Sequence, residues 1–192
     1  MRLKYPVVLA SASPRRVELL SQIVEEFTVD PAHIDEDALT VEDPYVTAKT
    51  LAREKAFAVF ERHPNSIVIG GDTVVAIETP TGWIQLGKPT DPEDAIRMLT
   101  ELQGRTHVVI TGIAIRHPKG LIVLADENQV TFAPLTREEI EAYVATGDSL
   151  DKAGAYGIQG MAGGFLQRLE GSIESVMGLP VLALAEALKD AH

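Results

Sequence analysis

Short apolar runs alternate along the chain with stretches in which apolar positions recur every three or four residues. Tyr5 to Ala10 is nearly continuous apolar sequence and predicts a buried first strand. Pro14 to Val24 sets Val17, Leu20, Ile23 and Val24 on one face, which predicts a helix. Pro44 to Arg62 predicts a longer helix, and Ile67 to Ile77 an apolar strand broken at Gly70-Gly71-Asp72. Thr79-Pro80-Thr81-Gly82 reads as a turn into Trp83 to Leu86, hence a hairpin. Asp91 to Leu102 predicts a helix with Pro92 in its first turn, where proline is tolerated best. Thr106 to His117 and Leu121 to Phe132 are rich in Val, Ile and Thr and flank Pro118-Lys119-Gly120, a second hairpin. Thr136 to Thr146 opens with Thr-x-x-Glu, a capping-box signature for a helix. A Gly-rich stretch from Gly154 to Gly164 precedes a short strand and a last helix after Pro180. Hairpins cannot belong to an all-parallel sheet, so the predicted class is α/β with a mixed sheet.

The 192 residues, 45% of them apolar, suffice for one full core, so residues 1–192 are expected to form a single domain. With no cysteine, a disulfide framework, an iron–sulfur cluster and a thiol nucleophile are excluded, and the chain suits a reducing cytoplasm. Its formal charge of −11 argues against nucleic acid as a partner. An anionic ligand would therefore need a local cationic pocket. No apolar run approaches the ~20 residues of a membrane span. The opening MRLKYPVVLAS runs straight into a helix signal and reads as a strand, not a signal peptide.

Candidate chemistry falls at six places. Ser11-Ala12-Ser13-Pro14-Arg15-Arg16 spans a strand-to-helix junction, with Ser13 as N-cap and Pro14 as first helical residue. Two arginines in the first turn oppose the helix dipole, which prefers carboxylates there. An anion held by backbone N–H groups, hydroxyls and guanidinium forks would explain them; solvated arginines on a capped helix are the alternative. Lys55 lies on or beside the stripe formed by Leu51, Val59 and Ala48, Ala52 and Ala56. It either snorkels outward or points into a polar pocket. Asp72 interrupts an apolar run, where a carboxylate is costly unless paired or metal-bound. A turn aspartate bonding its own backbone is the other reading.

Asp35-Glu36-Asp37 is by default a solvated acidic run. If Glu36 met Asp72, the pair would suit a hard divalent ion carrying phosphate oxygens. Lys88, framed by Gly87 and Pro89, reads as a turn residue or a positioned phosphate point charge. Asp151 to Gly160 combines glycines with Tyr156 and Gln159 and reads as a mobile loop able to hold a base edge, or as structural glycines. Walker, dinucleotide-binding, nucleophile-elbow and H-E-x-x-H motifs are absent. The histidines share no metal-ligand spacing, and His107 and His117 read as packed or rim residues.

Taken together and in this order, LASASPRR (9–16), AREKA (52–56), GGDTVV (70–75), LGKP (86–89) and DKAGAYGIQG (151–160) resemble the Maf family of nucleotide pyrophosphatases. The resemblance implies an inosine triphosphate pyrophosphatase-like fold, with a mixed twisted sheet, flanking helices and a cleft between two lobes. It implies cleavage of a nucleoside triphosphate between the α- and β-phosphates, a house-cleaning role and an association with cell division. It makes Asp72 the catalytic carboxylate and sets Ser11, Arg15, Arg16, Glu36, Lys55 and Lys88 around the triphosphate and metal. Asp72 and Glu36 would hold Mg²⁺ or Mn²⁺. Arg15, Thr73 and Gln159 fall at specificity positions, in the pattern of the dTTP/UTP subgroup. Gly71 departs from the family's more frequent alanine. A homodimer is the assembly the resemblance implies.

The physical reading agrees. Phosphoanhydride hydrolysis needs charge neutralisation above all, which Arg15, Arg16, Lys55 and Lys88 can supply. Asp72 serves equally as metal ligand or proton acceptor, and Gln159 carries the donor–acceptor pair that a uracil or thymine edge requires. The rivals are a 7-methyl-GTP pyrophosphatase of the same family and a nucleotide-binding regulator without turnover.

Overall fold

The computed structural model describes residues 1–191, Met161 and Ala162 by their backbone alone. Strands β1 (Val7–Leu9), β2 (Thr28–Val29), β3 (Ile67–Thr79), β4 (Gly82–Leu86), β5 (Thr106–His117), β6 (Gly120–Phe132) and β7 (Leu166–Glu170) form one mixed sheet. Its order is β2-β1-β3-β5-β6-β7, with β4 paired to β3. β1 runs parallel to both β2 and β3, whereas β4 on β3 and β7 on β6 are antiparallel. Both predicted hairpins form. The helices are α1 (Pro14–Ser21), α2 (Glu36–Leu39), α3 (Pro44–Phe60), α4 (Pro92–Leu102), α5 (Arg137–Ala145), α6 (Ile173–Met177) and α7 (Val181–Leu188).

The chain gathers into two compact units. The first comprises Met1–Thr73, Thr111–Asp126 and Glu174–His192. Here the pleat of the strands sorts the core into two layers. Val7, Leu9, Ile67, Ile69, Ile113 and Ile115 pack with Leu19 and Leu20 of α1 and Leu184 and Leu188 of α7. Val8, Ala10, Val68 and Ala114 pack on the other face with Ala52, Ala56 and Val59 of α3. The second unit comprises Val74–Ile110 and Glu127–Ile173. It holds the β3–β4 hairpin, α4, α5 and an aromatic cluster of His107, Phe132, Tyr143, Tyr156 and Phe165 in edge-to-face contact.

Several predicted boundaries shift. β3 is unbroken through Gly70-Gly71-Asp72. Gly70, and Gly112 on β5, allow the close backbone approach that glycines in a strand permit: a Cβ on Gly70 would stand 2.2 Å from Ala52 O, and one on Gly112 2.3 Å from Ala48 O. α1 stops at Ser21 instead of Val24, since Ile23 and Val24 both donate to Leu20 O in a tightened last turn. β2, α2 and α6 are too short to carry a periodic signal and were not expected. The 151–160 stretch, read as a mobile loop or as structural glycines, contains a 3₁₀ turn at Ala153–Ala155, and a second follows at Gly160–Phe165. Gly154, at φ 72°, lets its backbone press against Val75, and its N–H donates to Gly87 O at 3.1 Å. His107 and His117 are buried, as the apolar strands around them imply.

Candidate active site

Asp72 stands on the α3 face of β3, within the first unit. Its carboxylate lies among apolar neighbours and accepts from Lys55 Nζ at 2.8 Å, each side chain being 11% exposed. The Gly70–Ala52 contact brings α3 close enough for this, because a bulkier seam would push Lys55 away. The same ammonium lies 2.8 Å from Glu36 Oε1. Lys55 therefore points into a polar site and does not snorkel outward.

The acidic run before α3 is resolved by α2. Asp35 is spent as its N-cap, accepting from Ala38 N at 3.2 Å, and Glu36, the next residue, turns to Lys55. Burial pushes the Asp72 carboxyl above the usual carboxylate range, against the opposing pull of Lys55 and Arg16. Such a position favours a carboxylate that is paired with a cation, as Asp72 is with Lys55.

The β1–α1 junction forms as predicted. Ser13 caps α1, accepting from Arg16 N at 3.4 Å, with Pro14 at the first helical position. Ser11 Oγ accepts from Ser13 N at 3.2 Å and from Arg16 Nη1 at 3.4 Å. With both acceptor positions engaged, its own O–H proton is left to donate, which suits an anionic ligand. Arg15 is half-buried.

Arg16 turns to the other face of the sheet. Its Nε donates to Gly178 O at 2.8 Å and its Nη2 to Thr73 Oγ1 at 3.0 Å. Thr73 in turn lies 3.1 Å from Thr111 Oγ1, and Thr111 donates to Ser175 O at 2.7 Å. Sequence reasoning missed Thr111, Ser175 and Gly178. The apolar run around Thr111 gave no sign that a hydroxyl there had partners on β3 and α6.

Lys88 and Gln159 belong to the second unit, and both are exposed. Lys88 follows Gly87, whose carbonyl is tied to Gly154, so the LGKP and DKAGAYGIQG segments are joined there. Ahead of Gln159, Tyr143 donates to Asp148 Oδ2 at 2.6 Å and accepts from Gly157 N at 2.9 Å. Lys152 Nζ bonds both Asp148 and Asp151. Burial would raise Asp148, but the bonds from Lys152 and Tyr143 prevail and hold it below its ordinary value.

In this mixed α/β protein two carboxylates converge on one buried lysine, and a capped strand-to-helix junction presents a serine hydroxyl proton. The model of the Maf-like protein family matches residues 6–191, and the chain belongs to the Maf family. It is 47% identical to the dTTP/UTP pyrophosphatase of Shewanella denitrificans, over 91% of this chain and 90% of that protein. It is 44% identical to the protein of the same name from Koribacter versatilis, covering 96% and 94%, and 48% identical to that of Myxococcus xanthus, covering 91% and 87%. Among solved structures, the Staphylococcus aureus Ham1 protein matches with a TM-score of 0.55 at 16% identity, covering 97% of this chain and all of that one. That likeness concerns the fold.

Proposed function

We propose that this chain hydrolyses nucleoside triphosphates, dTTP and UTP with modified pyrimidine triphosphates, to the monophosphate and pyrophosphate. One ammonium carries the reading: Lys55 Nζ, held at 2.8 Å by both Glu36 and Asp72, in a chain whose relatives bear that enzyme's name. Their names favour this substrate class over 7-methyl-GTP, and an enzyme over a binding regulator.

Water adds at the α-phosphorus, the bond to the bridging oxygen breaks, and pyrophosphate leaves with the electron pair. Asp72 accepts the water's proton or holds the cation, and its buried setting above the usual carboxylate range suits either task. Lys55 keeps the two carboxylates together and offers positive charge to the phosphates. Ser11 donates a hydrogen bond to a phosphate oxygen, while Arg15 and Lys88 add cationic charge and Arg16, its donors engaged by Gly178, Ser11 and Thr73, stands behind them. Gln159 presents an amide donor and acceptor to the imide edge of the base, with Arg15 and Thr73 as the other proposed specificity positions.

Mg²⁺ or Mn²⁺ fits the donors present: Glu36 and Asp72 converge as hard oxygen ligands, and such an ion commonly takes one or two carboxylates and completes its shell with phosphates and water. When bound, it neutralises charge on the phosphate oxygens. We place the reaction in the cytoplasm as a house-cleaning step, with a homodimer as the expected assembly.

The test is pyrophosphate release from a panel of nucleoside triphosphates with Mg²⁺, for wild type and Asp72→Asn. Release from dTTP and UTP, absent in the variant, is expected. Release from 7-methyl-GTP alone would move the chain to the other subgroup, and silence across the panel from folded protein would leave the binding regulator.

A further inference from the structure

We propose that Arg16 is a positioning residue for Asp72, holding the β3 segment that carries it from the opposite side of the sheet. The inference rests on the pyrophosphatase reading of the site and concerns how that site is kept in shape.

A guanidinium is seldom enclosed without a carboxylate partner, because burial strips its hydration. Arg16 is half-buried in this way: partial burial lowers its pKa, Asp72 acts on it only through the field, and among the described residues no carboxylate is bonded to it. Three neutral oxygens replace the lost water. They come from three separate parts of the chain: Ser11 after β1, Thr73 on β3, and Gly178 after α6. The planar fork of arginine can bond all three at fixed angles, which the ammonium of lysine cannot reproduce.

Both neighbours of Asp72 touch this group. A Cβ on Gly71 would stand 3.2 Å from Arg16 Nε, so the guanidinium lies against the strand backbone there. Thr73 accepts from Nη2. The protons beyond Thr73 have one consistent direction. Ser175 O can only accept, so the Thr111 proton is committed to it. Thr111 Oγ1 must then accept from Thr73, and Thr73 from Arg16. The chain Arg16→Thr73→Thr111→Ser175 O fixes the Thr73 hydroxyl and anchors β3 to β5 and α6 on the face away from Lys55. Asp72 is thereby braced on both sides, while its own carboxylate remains on the α3 face.

A brace and a phosphate ligand predict different kinetics. A ligand lost from the ground state and transition state alike raises KM; a brace lost from beneath Asp72 lowers kcat. Pyrophosphate release from UTP with saturating Mg²⁺ is measured for wild type, Arg16→Lys and Thr111→Val, with thermal scans of each. Arg16→Lys keeps the charge and loses the fork; it is expected to lower kcat at least tenfold with KM within threefold of wild type. Thr111→Val cuts the same chain without altering charge and is expected to lower kcat several-fold, again at constant KM. Thr111→Ser, which restores the hydroxyl, is expected to recover most of the loss. A raised KM with kcat preserved in Arg16→Lys would make it a substrate ligand and overturn the proposal, as would wild-type kinetics in either variant. If Arg16→Lys does not fold, the Thr111 pair decides alone: loss of kcat in valine with recovery in serine supports the brace, and equal kcat in all three overturns it. A wild-type protein that releases no pyrophosphate would instead refute the enzymatic reading.

Discussion

Asp72 and Thr73 are adjacent in sequence and face opposite sides of β3. Asp72 meets Lys55 on α3, and Thr73 meets Arg16 and Thr111. The strand pleat thus divides the motif Gly70-Gly71-Asp72-Thr73 between a charged side, where carboxylates and a lysine converge, and a supporting side of neutral hydrogen bonds around a half-buried arginine.

Replacing Asp72 by asparagine should separate activity from stability. Pyrophosphate release is expected to fall by about 10²–10⁴-fold, the usual contribution of a positioned acid–base group. Because burial raises the Asp72 pKa in the folded state, its contribution to stability is greatest at low pH and is lost as pH rises through the folded value. Asparagine has no such titration, so its melting temperature relative to wild type should rise as pH increases above the ordinary aspartate value of 3.8. Paired thermal scans check this; a variant that loses ground as pH rises would contradict it.

The glycines of β3 and β5 should rank by what lies opposite them. Gly70→Ala and Gly112→Ala would press a methyl group onto the α3 backbone, at 2.2 Å from Ala52 O and 2.3 Å from Ala48 O. Overpacking of this kind costs about 1–3 kcal/mol or more, and each kcal/mol lowers Tm by about 2–4 °C in a chain of this length. Activity should fall too, since Lys55 rides on the displaced helix. Gly71→Ala meets only the Arg16 side chain at 3.2 Å and a methyl of Ile113, so its Tm should change far less. Equal losses at positions 70 and 71 would refute the ranking.

Much of this architecture was legible from the sequence, and the failures share a cause. The hydrophobic periods located α1, α3, α4, α5 and both hairpins because each element buries one repeating face. The period also set Lys55 against the apolar stripe, but the direction of its ammonium depended on Asp72 and Glu36, which periodicity cannot supply. Gly70-Gly71 signals either a break in the strand or a close approach of backbone or ligand, and the contact of α3 with Gly70 selects the second. The resemblance singled out Glu36 among three adjacent carboxylates, but its turn towards Lys55 depends on α2, four residues long and without a buried residue, which no hydrophobic period announces. The contact of Arg16 with Gly178 spans 162 positions, and nothing local announces it.

His107 should give acid sensitivity to the second unit. Its Nε2 lies 2.7 Å from Tyr156 Oη, its Nδ1 has no hydrogen-bond partner, and burial lowers its pKa to about 3. In the unfolded chain it would titrate near 6.5. The unfolded state therefore binds the extra proton between those values, and stability is lost as pH falls from about 6.5 towards 3. The slope should approach about 1.4 kcal/mol per pH unit from this group. Denaturant titrations of wild type and His107→Phe across that range provide the check, with a shallower slope expected in the variant.

Removal of divalent ions should abolish turnover and leave the fold intact. Without a metal, Lys55 already holds Glu36 and Asp72, so the carboxylates do not repel one another unopposed. Excess chelator is expected to stop pyrophosphate release with Tm unchanged within about 2 °C, a shift worth at most about 1 kcal/mol. Added Mg²⁺ should restore activity. A large fall in Tm on chelation would mean that a metal holds the structure together.

Where α3 comes within touching distance of the strand backbone, Ala48 and Ala52 stand on one side and Gly112 and Gly70 on the other, the smallest pair available. Backbone rests almost directly on backbone there, with few side-chain torsions to adjust. Lys55 is consequently carried on a rail rather than a spring. A triphosphate of different size must fit itself to the lysine, so the freedom to evolve new substrates lies in parts of the chain other than this helix.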